Sequence, residues 1–125
     1  MGEIFTEEEL KEKCLEWQKI LRLQDWTIVV HIERQRDLPD GAQANVRYTL
    51  STKKALIRLV DATDYPPDSM LPQDMEHSLV HELLHLHLGP CTTEDGTITE
   101  DQAIESIADG LIYLKRTRHG SNKSY

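Results

Sequence analysis

The chain of 125 residues has only two cysteines, Cys14 and Cys91, and neither stands in a CxxC pair. That argues against a disulfide scaffold and against a cysteine-ligated zinc knuckle, and two reduced thiols are expected. No apolar run approaches the roughly 18 residues needed to cross a bilayer. The acidic opening "MGEIFTEEEL" has neither the basic nor the apolar segment of a secretory signal, so a cytoplasmic location is the expectation. Met1-Gly2 followed by Thr6 touches the loose myristoylation pattern, but nothing basic supports it. Positive charge is also short: 14 Lys and Arg stand against 22 Asp and Glu, a net charge of −8. Nucleic acids and anionic membranes need clustered Lys and Arg, so neither is an expected partner. The one basic cluster, "LKRTRHGSNK" at residues 114–123, reads as part of a solvated C-terminal tail. There is no internal repeat and no low-complexity segment. With 38% hydrophobic and 29% charged residues, the chain reads as one small globular domain over 1–125, with 116–125 a flexible or cleft-covering tail.

What is present falls into clear elements. Thr6 and Glu9 form a capping box, with Phe5 and Leu10 at the two positions of a hydrophobic staple. Leu10, Cys14, Trp17 and Leu21 then recur at helical spacing. In "DWTIVVHIERQ", Trp26, Ile28, Val30 and Ile32 alternate as in a strand. "RDLPDGAQ" is a turn. "NVRYTLST" and "ALIRLVDA" are two further strands, and a mainly antiparallel meander of three is the expected product. "TDYPPDS" breaks the pattern. A long helix is expected from about Pro72 to Leu88, stopped by Gly89-Pro90. Thr99 with Gln102 reads as a second capping box, opening a last helix. The order helix, three strands, helix, helix defines a small α+β domain.

The chemistry concentrates in "LVHELLHLHLGP", residues 79–90. His81, Glu82 and His85 spell HExxH. Positions i and i+4 share a helix face, so both imidazoles can reach one ion, and zinc accepts neutral histidine nitrogens. Glu82 projects about 100° away from His81. It is therefore free to act as general base on a metal-activated water. Leu79, Leu83 and Leu86 occupy the opposite side. His87 falls away from the metal face, and His77 is expected to line the cleft or meet solvent. Catalytic zinc usually takes a third protein ligand. Glu105 is the candidate, because Ile104, Ile107, Ala108, Leu111, Ile112 and Leu114 leave it a narrow polar arc, and a carboxylate there is costly unless paired. Asp109, one turn later, can accept a hydrogen bond from a ligating histidine. Glu100 and Asp101 are weaker candidates, since acidic residues are favoured in a first helical turn anyway.

HExxH on one helix, and a glutamate followed four residues later by an aspartate on the next, resembles the gluzincin zinc metallopeptidases. The twenty residues from His85 to Glu105 are like the thermolysin-type spacing. The element order is similar to the minigluzincins and to phage and prophage metallopeptidase-like proteins, and "LRLQDWTIVV" has the texture of the phage group. The likeness covers roughly residues 5–115, with only the two motifs specific. It implies Zn2+ held by His81, His85 and Glu105, with Glu82 as general base and proton shuttle and Asp109 orienting a histidine. Larger gluzincins add a C-terminal subdomain with a transition-state donor. Here Tyr113, His119 and Tyr125 are the candidates, with no motif to select among them. The implied activity is hydrolysis of a peptide or protein substrate, held in extended form along a strand edge expected from "ALIRLVDA". Three alternatives stay open: a non-catalytic metal-binding or interaction module, a latent enzyme whose tail covers the cleft, and a structural domain with satisfied core histidines. Oligomeric state is not legible.

Overall fold

The computed structural model describes residues 2–39, 41–92 and 96–121, with side chains as far as 118. Helix α1 spans Glu7–Ile20. Its capping box forms as expected: the Glu9 amide donates to Thr6 Oγ1 at 3.2 Å and the Thr6 amide to Glu9 Oε1 at 2.8 Å. Phe5 and Leu10 are both buried, as a staple requires. The helix ends without glycine or proline. Arg22 instead takes the left-handed conformation with φ 62°, while the Leu23 amide donates back to the Gln18 carbonyl and the Arg22 amide to that of Lys19. That is the paired closure of a Schellman motif, and burial of Leu23 drives it.

Three strands follow: β1 at Thr27–Glu33, β2 at Ala44–Thr49 and β3 at Lys54–Val60. The α+β class is as expected, but the sheet is not a meander. Its order is β1-β3-β2, with β1 parallel to β3 and β2 antiparallel to β3. A meander needs a tight turn between consecutive strands. The connection from β1 to β2 instead crosses the end of the sheet, with a 3-10 turn at Gln35–Asp37, held down where Arg34 Nε and Nη2 grip Asp64 at 2.6 and 2.9 Å. The most apolar strand therefore takes the centre, with Ala55, Ile57, Leu59 and Val60 all buried. The polar sequence of β2 tolerates an edge. "ALIRLVDA" is accordingly not a free edge, and a peptide added to this sheet beside α2 would meet β2.

Helix α2 spans Met75–Leu88, three residues shorter at its start than expected. Asp74 caps it in an extended conformation, accepting from the His77 amide at 3.2 Å, and that cap fixes the start after Pro72 and Gln73. Gly89 ends it in a 3-10 turn at Gly89–Cys91. A Cβ on Gly89 would lie 2.3 Å from the Tyr48 hydroxyl, so glycine lets β2 approach the helix end. Helix α3 spans Thr97–Ser121. Thr99 lies inside it rather than at its cap, and the helix includes residues 116–121. Residues 122–125, with Tyr125, lie outside the described residues.

One core joins all elements. Leu10 and Trp17 of α1, Val30 and Ile57 of the sheet, Leu79 and Leu83 of α2, and Ile104 and Ala108 of α3 belong to one buried cluster. The far side of the sheet is left to residues such as Val29 and Arg47, both exposed. A second tie lies beneath α2. Glu76, 3% exposed, accepts from the Trp17 indole at 2.8 Å, from Lys115 Nζ at 2.6 Å and from Arg116 Nη2 at 3.2 Å. Arg116 also grips Asp74 through both nitrogens. This clamp sets α3 antiparallel on α2, and so decides which acidic residues face the histidines.

Candidate metal centre

Leu79, Leu83 and Leu86 are buried, and His81 and His85 emerge half-buried on the other side, as their spacing demands. The two rings stand 5.2 Å apart between centroids. Their Nδ1 atoms are each engaged by a carboxylate of α3: His81 by Glu105 Oε1 at 2.6 Å, His85 by Glu100 Oε2 at 2.5 Å. A ring that donates from Nδ1 keeps its Nε2 lone pair for a metal, which is the usual carboxylate–histidine arrangement around zinc. Both Nε2 atoms lie near the same carboxylate oxygen, Asp101 Oδ1, at 3.7 Å from His81 and 3.3 Å from His85.

Those distances test whether zinc fits. Arms of ~2.0–2.1 Å in a tetrahedron put neighbouring ligand atoms about 3.3 Å apart. The two distances to Asp101 come close to that, and all three donor atoms lie within 4.8 Å of one another. The donor set, two imidazoles and a carboxylate, is one that zinc takes. The carboxylate nearest both Nε2 atoms is thus Asp101, which the sequence reading ranked below Glu105. Glu105 stands one turn further along, against the other nitrogen of His81.

Glu105 does not lie in the narrow polar arc expected of it. Its side chain is 53% exposed. Among the described side chains, helix α3 buries the stripe Ile104, Ala108 and Ile112 and leaves Ile107 and Leu114 exposed, so no apolar ring closes around the carboxylate. Asp109 approaches His77, not a residue of HExxH: His77 Nε2 lies 2.8 Å from Asp109 Oδ1. His77 therefore joins the cleft rather than solvent alone. His87 turns away, as expected, and donates from Nε2 to the Leu21 carbonyl at 2.7 Å. Tyr113 is 66% exposed and lines neither hollow beside the histidines. The side chain of His119 lies outside the described residues.

Glu82 is 8% exposed and borders a cavity of about 520 Å³ together with His77, His81, Glu105 and Asp109. Its carboxyl is lifted to about 7, chiefly by burial; His85 opposes the rise, and Asp101 and Glu105 add to it. A carboxylate so placed can exchange a proton near neutrality. A smaller hollow of about 330 Å³ opens on the other side of His85, bordered by Tyr48, Glu100 and Asp101. Ala44, at the start of β2, borders the first cavity and Tyr48, near its end, the second. The edge strand therefore runs past the histidine pair.

Tyr65 was not singled out from the sequence. It reaches the large cavity from the segment before α2, with its hydroxyl donating to the Leu71 carbonyl at 2.9 Å. Only the tertiary path of residues 61–74 brings it there. No helix among the described residues is long and apolar enough to cross a membrane. No protein-family model, no curated protein and no solved structure matches the chain.

Proposed function

We propose that the protein is a zinc-dependent metallopeptidase of gluzincin-like layout. The observation that carries the reading is the convergence of His81 Nε2 and His85 Nε2 on one carboxylate of α3, with both Nδ1 atoms already engaged. His81, His85 and an acidic residue of α3 would hold the ion. Zinc there supplies Lewis-acid polarisation of the scissile carbonyl and lowers the pKa of water towards ~7. Glu82 takes the proton of the attacking water and passes it to the leaving amine. Glu105 and Glu100 keep the two imidazoles in the tautomer that leaves Nε2 free.

The substrate class is an extended peptide. Among the described residues β2 pairs on one side only, with β3, and runs past both hollows beside the histidine pair. An added strand would be held mainly by main-chain hydrogen bonds, leaving side-chain selectivity to the hollows. The unpaired cysteines fit a reducing, cytoplasmic setting. The net charge of −8 disfavours nucleic acid as a partner.

The test is Glu82→Gln in zinc-loaded protein against a fluorogenic peptide library. The variant keeps its zinc and loses at least a hundredfold in rate, the usual scale of a general base. Unchanged turnover in the variant removes the general-base role. No turnover in wild type with zinc bound turns the reading to a binding module on the same scaffold.

A further inference from the structure

Helix α2 carries His77, His81 and His85 at four-residue steps, and α3 carries Asp101, Glu105 and Asp109 at the same step. Such a step drifts only about 40° around a helix, so each row keeps to one face. The helices run antiparallel, and the rows meet rung by rung. His85 faces Asp101 at 3.3 Å, His81 faces Glu105 at 2.6 Å, and His77 faces Asp109 at 2.8 Å. Glu105 and Asp109 are half or more exposed, so both carboxylates are reachable from solvent.

The ladder contains two clusters of donors. One is His81, His85 and Asp101. The other is His77, Glu105 and Asp109, whose donor atoms also lie within 4.8 Å of one another. Glu105 stands between them: its Oε1 meets His81 Nδ1, and its Oε2 lies 3.8 Å from His77 Nε2. The second cluster opens onto the cavity of about 520 Å³, so solvent can complete a coordination shell. We propose that the ladder binds a second divalent cation at His77, Glu105 and Asp109, beside the one at HExxH. One imidazole and two carboxylates make a harder donor set than two imidazoles and one carboxylate. The second position therefore takes Mn2+ readily as well as Zn2+, and the first favours Zn2+. The proposal concerns cation number and stands whether or not the protein cleaves peptides.

The experiment is metal stoichiometry on the full chain. Chelator-stripped protein is loaded with Zn2+ or Mn2+, passed through gel filtration, and its metal counted by mass spectrometry. Wild type should retain two equivalents of Zn2+. His77→Ala and Asp109→Asn should each retain one, and His85→Ala should keep the second position and lose the first. Asp109 is 69% exposed, so Asp109→Asn answers the question even if His77→Ala misfolds. Retention of one equivalent by wild type overturns the proposal. If that equivalent is lost in His85→Ala but kept in Asp109→Asn, the HExxH site still stands. Two equivalents in Asp109→Asn and His77→Ala also overturn it, and no metal in wild type removes both sites.

Discussion

Glu76 is the residue whose replacement tests how α3 is set against α2. Its carboxylate is buried and accepts from Trp17, Lys115 and Arg116. Breaking a buried pair by removing one partner costs about 3–5 kcal/mol. Here the orphaned cations keep other partners, Glu16 for Lys115 and Asp74 for Arg116, which lowers the figure. The Trp17 indole keeps none of its acceptor, at about 1–3 kcal/mol. Glu76→Ala is therefore expected to lose about 2–4 kcal/mol at pH 7, a large part of a small domain's stability. Glu76→Gln retains an acceptor for Trp17 and should lose about half as much. Burial alone would raise the Glu76 carboxyl, but the bonds from Lys115, Trp17 and Arg116 outweigh it and hold the group below its ordinary value. A lowered folded-state pKa means the contribution is complete above the unfolded value, about 4.3, and fades as pH falls through the folded one. Urea unfolding followed by circular dichroism at pH 7 and pH 3 reads both effects. The gap between wild type and Glu76→Ala should be smaller at pH 3 than at pH 7. A gap under about 0.5 kcal/mol at pH 7, on the scale of an ordinary surface change, refutes the reasoning. So does a gap of the same size at both pH values.

Arg22→Gly should stabilise the protein: a left-handed residue other than glycine costs about 1–2 kcal/mol, and glycine's own entropy returns about half, for a net gain near 0.5–1 kcal/mol. Thermal melts should move up by about 2–4 °C, and a fall in Tm would contradict the reading of this helix end. Cys14 is buried and its thiol is pushed up to about 12 by desolvation, whereas Cys91 is exposed. A thiol-reactive chromophore should titrate one cysteine in the native protein and two in denaturant; labelling of Cys14 in the native state by peptide mapping would count against the core as described.

The capping box at Thr6 and Glu9, the alternation in β1 and the histidine row of α2 were legible because each is a local matter. Propensity, period and caps act over a few residues, and they settle which residues become helix or strand. HExxH likewise needed only a helix to bring His81 and His85 to one face. The strand order was not legible. It depended on a ten-residue connection, 34–43, that Asp64 anchors from beyond β3, and no period in the chain records that contact. The acidic face was half legible. The sequence puts Asp101, Glu105 and Asp109 in one row, but says nothing of how far α3 slides along α2. The buried clamp of Glu76, Lys115 and Arg116 sets that slide, placing Asp101 against the two Nε2 atoms and Glu105 against a Nδ1. Sequence alone determined the elements and the pair of histidines. Which carboxylate meets which nitrogen was decided by long-range packing, because a shift of one helical turn, about 5.4 Å, exchanges every rung.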